Sequence, residues 1–469
     1  MGEGWVGPVL RTGRRARRWR RIRPDTVTLD RRAFLTVAAL AAVRPLRLDA
    51  AGWRAGVATV DITPRTSLWM AGFAARTAPS SGTRQPLHAK ALAVEDAGGQ
   101  RLVVVTLDLL GVTGGMSDRI GAAVARQHRL PRERLLLASS HTHSGPVVDT
   151  QLMVAYDVTP QQVRDVEAYT TALEAQIVDV VGAALRALAP ATLHAGHTTA
   201  TFAANRRVQY SPDGPVDHRV PMLRVDIGGA PKAILFSYAC HNTTLQASNV
   251  EWHGDYAGVA QAAIEAAHPG LTALFMTGCG ADANPKPRGT FEHVEQHGQA
   301  LATAVRGAMA SLTPITGPTR AALDLVDLPF EAALTPDQWK QRYGLTEPYV
   351  GRHTRLMDEI RARDGALPTS QKMPLQVWRF GRDLTLVALG GEVVVDYALR
   401  LRRDHPDDNV WPVGYANDVF GYVPSKRVLD EGGYEGGGSL LYYGRPGPFD
   451  GTVEDRIVAS LSRLMRITR

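Results

Sequence analysis

Layered mixed β-sheets with covering helices, an α/β fold, are what this chain predicts, and three observations carry the prediction. Strand-like apolar runs alternate with segments of helical periodicity along most of the length. No break in composition divides them. Several apolar runs end in polar, glycine-bearing turns, where α/β proteins commonly place reactive groups. The 469 residues are 44% hydrophobic, enough for one large or two medium globular units.

From the amino terminus, residues 1–54 read as a leader. They carry thirteen arginines against four acidic residues, which accounts for the formal net charge of +7. The body, 55–469, is close to neutral and gives no electrostatic reason to expect nucleic acid. Within the leader, Asp30-Arg31-Arg32-Ala33-Phe34-Leu35-Thr36 precedes a short apolar run, 37–43. Paired arginines before Phe-Leu and a modest apolar stretch resemble a bacterial twin-arginine signal, so export to the periplasm or beyond is expected. That run is far too short to span a bilayer. The two cysteines, Cys240 and Cys279, are too few for a disulfide scaffold and read as small buried residues, with a bridge between them left open.

Strands are expected at 56–62, 89–94, 102–107, 135–138, 222–225, 233–238, 271–276 and 384–389. Helices are expected at 117–127, 160–188, 256–267, 294–312, 394–403 and 453–465. The charged span 335–370 reads as a surface insertion. The glycine-dense span 432–451, holding Tyr434, Tyr442 and Tyr443, reads as a mobile or tightly turned loop that covers something.

The sharpest chemistry follows the run 135–138, in Ser140-His141-Thr142-His143-Ser144-Gly145-Pro146. Residues i and i+2 of an extended backbone project to the same side, so both imidazoles could enter one cleft. Imidazole is the commonest zinc ligand and the usual proton carrier near neutral pH. Alone, His-x-His is equally a polar turn with two solvated rings. His241 ends a second apolar run and Glu392 closes a third. A carboxylate at such a place is costly unless exposed, paired or metal-bound. Two imidazoles and a carboxylate, with room for water, form a known catalytic zinc set.

These residues resemble the signatures of the neutral/alkaline non-lysosomal ceramidase family, whose Thr-His-Thr-His-Ser-Gly-Pro motif is similar to 140–146. Further blocks match in order: 56–63 with Met70-Ala71-Gly72-Phe73, Asn205-Arg206, His241-Asn242-Thr243 with 254–258, 278–285, Gly391-Glu392, 417–422 and Tyr434-Glu435-Gly436. The resemblance implies one Zn2+ held by His141, His241, Glu392 and Tyr422. It makes His143 the general base and later the acid, and gives Arg206 and Tyr434 to substrate orientation and oxyanion stabilisation. The implied activity is hydrolysis of the amide of ceramide or a related N-acyl lipid by metal-activated water. The implied partners are a lipid-like small molecule and, at most, a membrane surface touched peripherally; no protein partner is indicated. Asp108, Asp255 and Asp282 are expected to support the site or cap helices, with His253 in solvent.

Two departures from the family pattern bear on specificity. The chain ends at Arg469 without the further β-sandwich of full ceramidases, and 423–433 lacks the usual acidic-tyrosine pattern. A zinc hydrolase of a lactone, ester or peptide, and a catalytically silent binding protein of the same fold, are the competing readings.

Overall fold

The computed structural model describes residues 52–149 and 151–469, so the expected export signal lies outside the described residues. The first strand, Trp53–Asp61, begins one residue before the expected end of the leader. It sits inside a nine-stranded mixed sheet. The order is Thr272–Thr277, Ala230–Tyr238, Arg219–Ile227, Ala189–Thr199, Trp53–Asp61, His88–Glu95, Arg101–Leu107 and Leu135–Ser139, with Thr313–Pro314 added on Ala189–Thr199. Both outermost pairs are parallel and the pairs between them antiparallel.

A second sheet runs Thr319–Pro329, Ser370–Phe380, Leu384–Leu389 and Val410–Val413. The two sheets stack face to face. Leu92, Val104, Leu136, Leu223 and Leu274 of the first interleave with Trp378, Phe380, Leu386 and Trp411 of the second in one dry cluster. Because strand side chains alternate, each sheet has another apolar face to bury, and helices bury it. Gly114–His128, Pro160–Arg186, Asp255–Ala267 and Phe291–Ala308 cover the first sheet. Val395–Asp404 and Val453–Ile467 cover the second. The layers run helix, sheet, sheet, helix.

Local chemistry sets the helix starts. Thr159 and Gln162 form a capping box at the start of Pro160–Arg186, with proline in the first turn. Thr113 accepts from the Met116 amide at the start of Gly114–His128.

The span 335–370 is not merely a surface insertion. It folds into Pro336–Tyr343 and Tyr349–Asp364, which bury Trp339, Val350 and Met357 in the core under the second sheet. The span 432–451 is tightly turned and largely buried, with Gly432, Gly433, Gly437 and Gly444 at positive φ. Among the described residues no helix is long and apolar enough to cross a membrane. Cys240 and Cys279 are buried and unbridged.

Candidate metal centre

Three strand ends and the loop after a fourth meet at one edge of the sheet pair. His141 and His143 follow Leu135–Ser139, His241 follows Ala230–Tyr238, and Glu392 follows Leu384–Leu389. Tyr422 comes from the loop beyond Val410–Val413. The backbone stitches them together: Glu392 and Tyr422 are direct partners in a short parallel ladder. The His143 amide donates to the Asn242 carbonyl at 3.2 Å.

His141 lies at φ 59°, in the left-handed region rather than on a continuing strand. The expected i, i+2 alternation is therefore not what brings the two rings together; a turn does. Their Nε2 atoms are 3.2 Å apart. A non-glycine residue in this region is strained, a condition that collects at functional sites.

Glu392 Oε2 lies 3.0 Å from Nε2 of both His141 and His241. Tyr422 Oη lies 2.9 Å from His241 Nε2. On the far side of each ring, Nδ1 meets a carbonyl: Leu110 O at 2.7 Å for His141 and Gly280 O at 3.0 Å for His241. Those carbonyls can only accept, so the hydrogen bonds assign each ring proton to Nδ1 and leave Nε2 as a lone pair. Burial, with Arg206 nearby, pushes His241 down to about 4, so its ring is neutral at pH 7. The contact of His241 with Glu392 therefore brings two acceptors together with no proton between them. Such a cluster is repulsive unless a cation sits among its atoms, and the backbone carbonyls behind the rings are the usual orienting partners of metal-binding histidines. The donor set fits a zinc ion. Ring nitrogens of His141, His143 and His241 also lie within 4.8 Å of one another, so nitrogen donors alone would suffice for some metal.

His143 is held well below the ordinary histidine value by burial first and by the adjacent His141 and His241 rings second. Its Nδ1 has no hydrogen-bond partner among the described residues. Arg76 fixes its backbone, donating to the His143 carbonyl at 2.7 Å. Gly72, at φ 99°, passes so close that a Cβ there would stand 2.3 Å from His143 Nδ1.

Arg206, rather than Arg207, reaches the site. Its Nη2 donates to Tyr422 Oη at 3.0 Å and its Nε to Glu435 at 2.6 Å. Burial works against its charge, but Tyr422 and Glu435 hold the guanidinium well above its ordinary value. Arg207 is spent on Glu431 and Glu435. The Tyr434 ring packs edge-on against Tyr422 at 5.2 Å. Tyr434 shares with Gly72, Phe73, His143, Glu392 and Tyr443 the lining of a cavity of about 260 Å³. All seven expected site residues are thus gathered at one place.

The supporting aspartates need correction. Asp108 accepts from the His88 amide and Gln261, not from the His141 loop; the Leu110 carbonyl does that work. Asp255 is the first residue of its helix, not the cap, and its carboxylate takes the Leu245 and Tyr256 amides, pinning the loop after His241. His253 is buried, not solvated, and its Nδ1 accepts from the Asp255 amide at 2.9 Å. Asp282 does brace the site, accepting from the Val395 amide beyond Glu392 and from Asn205 beside Arg206.

Sequence reasoning missed Tyr443, whose hydroxyl donates to Glu392 Oε1. Its only signal was its place among glycines. Arg76 was missed too, and Gly72 entered only as part of a matching block, because close approach and backbone bracing leave no mark in spacing.

A family model described as "Neutral/alkaline non-lysosomal ceramidase, N-terminal" matches residues 53–309. The match includes His141, His143, Arg206 and His241 and stops before Glu392, Tyr422 and Tyr434. A neutral ceramidase of Mycobacterium tuberculosis is 24% identical over 82% of this chain and 74% of its own. The solved structure of the neutral ceramidase from Pseudomonas aeruginosa superposes with a TM-score of 0.70 at 21% identity, covering 89% of this chain and 75% of that one. A ceramidase solved in complex with C2 gives a TM-score of 0.68 at 19% identity, over 88% and 76%. The layered α/β fold is therefore shared with these two solved structures.

Proposed function

The chain belongs to the neutral/alkaline non-lysosomal ceramidase family, and from that premise we propose that it is a zinc-dependent amidohydrolase cleaving ceramide or a related N-acyl lipid. The observation that carries the metal is the meeting of His141 Nε2, His241 Nε2 and Glu392 Oε2, with both ring protons turned away to carbonyls. His141, His241, Glu392 and Tyr422 would hold the ion. Held there, a zinc ion would supply a bound water of pKa about 7 rather than about 15.7 and a Lewis acid for the carbonyl.

The remaining steps belong to the chain's own side chains. His143 is neutral at pH 7 and takes a proton from the attacking water on Nε2. It then returns that proton to the leaving nitrogen, so the amine departs uncharged. Arg206, fixed by Glu435, and the Tyr434 hydroxyl aim donors at the carbonyl oxygen as it gains charge. Each such donor contributes roughly 3 kcal/mol by analogy with oxyanion-hole donors. Tyr443 holds the free oxygen of Glu392 and keeps that carboxylate aimed inward. Export through the twin-arginine route is proposed alongside, on the leader residues.

Elemental analysis of purified protein, with a panel of N-acyl lipids, lactones, esters and peptides, tests this reading. About one zinc per chain, with fatty acid and free amine released in equal amounts, is expected. Absence of stoichiometric metal, or cleavage confined to lactones or peptides, would overturn it.

A further inference from the structure

A second cavity, of about 900 Å³, lies beside the metal pocket, and Leu152, Tyr442 and Tyr443 line both. Its lining mixes polar and apolar residues but exposes more apolar surface than polar, with an aliphatic wall at Leu323 and Leu325 of the second sheet and at Leu356 and Ile360 of the helix Tyr349–Asp364. It ends among Asp118, Arg363 and Lys372, which are exposed. Most polar groups deeper in it are engaged by the protein, though the buried Gln151 Oε1 has no hydrogen-bond partner among the described residues. Asp149 accepts from Thr113 at 2.6 Å, and Arg445 donates to the Phe420 carbonyl at 3.1 Å. Beyond Gln151 and the Asp418 carboxylate, what the space offers a ligand is mostly hydrocarbon.

The partition is unusual as well. Leu152 has φ 59° and Asp149 has φ 52°, so two non-glycine residues in this turn stand in the left-handed region. Strain of this kind persists only where the surroundings enforce it, and it gathers at ligand clamps. Volume gives the remaining argument. A methylene fills roughly the 30 Å³ that a water molecule occupies in the liquid. The 260 Å³ pocket then holds the amide and a few neighbouring carbons, but not a long chain. The 900 Å³ cavity takes an unbranched chain of sixteen carbons with room to spare.

We infer that this cavity is an alkyl-chain annex: one long hydrocarbon arm of the substrate passes the Leu152–Tyr442–Tyr443 partition and lies along Leu323, Leu356 and Ile360. The inference rests on the N-acyl lipid reading above. It adds that chain length is sensed here, outside the metal pocket. An acyl arm and an amine arm present the same chemistry, and the test separates them.

Ile360→Trp and Leu325→Trp each place an indole in the annex; Leu325 is 53% exposed, so its replacement spares the core. Zinc-loaded full chain and both variants are given two amide series. One lengthens the acyl arm from two to sixteen carbons with a short amine, and the other lengthens the amine arm with a short acyl group. In one series the ratio of kcat/KM for sixteen carbons to that for two should fall at least tenfold in both variants, and that series identifies the seated arm. An unchanged ratio in both series, in variants with wild-type melting curves, would overturn the annex. Binding of the fluorescent fatty acid 11-(dansylamino)undecanoate decides the matter without turnover: at least tenfold weaker binding in the variants supports it, and equal binding overturns it. If the wild type cleaves no amide of any length, the catalytic proposal falls while the dansyl measurement still judges the annex.

Discussion

At the scale of single residues, His143 and Gly72 separate metal binding from proton transfer. His143→Ala removes a ring that lies outside the four proposed donors, so zinc should stay at wild-type stoichiometry while kcat falls by about 10²–10⁴, the usual range for a lost general base. His241→Ala should lose both. Zinc content measured beside turnover checks this, and full activity in His143→Ala would remove its role. Gly72→Ala tests the same ring from the other side. The added methyl would press on Nδ1 at 2.3 Å, and φ 99° disfavours any side chain. The ring must rotate or the backbone must shift, so kcat should drop tenfold or more with zinc retained; wild-type kcat would show that the ring has slack. The seven expected residues were legible because a short motif fixes residue type and order. Their geometry was not. The left-handed turn at His141 and the choice of Arg206 over Arg207 depend on partners hundreds of residues away, Tyr422 and Glu435 among them. His253 looked solvated beside an aspartate, yet the fold buries it against the Asp255 amide.

At the scale of elements, the longer apolar runs were found and mixed or very short ones were not. Every expected strand and helix is present with ends shifted by a few residues, but the strands missed include Ala189–Thr199, Thr319–Pro329, Ser370–Phe380 and the four-residue Val410–Val413. Ala189–Thr199 is built mostly of alanine, threonine and histidine, with Leu193 its one large apolar residue. Thr319–Pro329 is an edge strand carrying Asp324 and Asp327, and Ser370–Phe380 buries Gln376 and Arg379. Such strands are specified by their neighbours, through cross-strand packing and polar pairing, more than by their own hydropathy. The loop after Val410–Val413 makes a testable case of the same kind. Asp418 meets the Gly114 amide at the start of Gly114–His128, yet burial outweighs this and raises its pKa to about 7 from the ordinary 3.8. Between those values the folded chain binds a proton that the unfolded chain has released. Stability from this group is therefore full below pH 3.8, falls as pH rises toward 7, and is flat above. About three pKa units correspond to at most about 4 kcal/mol. Asp418→Asn keeps the shape without the charge. Its gain in Tm over wild type should be larger at pH 8 than at pH 4.5, and an equal difference at both pH values would show that the carboxylate is accommodated.

At the scale of the whole molecule, the proposed donors arrive from four segments separated by up to 281 positions, Tyr422 from His141. The layered core brings those segments near one another, but the last ångströms set lone pair against lone pair. The fold must therefore hold up a cluster that repels itself without a cation, and a bound cation should repay this as stability of the entire domain, since the unfolded chain has no such cluster. A ligand that binds only the folded form, at 100 times its Kd, adds about 2.7 kcal/mol. For a chain of this size, at about 2.1 cal/mol/K per residue, that amounts to a shift in Tm of about 3 °C. Stripping the protein with a chelator should lower Tm by at least that much, and adding back zinc should restore it. His241→Ala, which keeps the fold but loses a donor, should melt at one temperature with or without chelator. A wild-type Tm indifferent to chelation would mean that the four segments meet for packing alone, and the strain at His141 would then need a cause other than the metal.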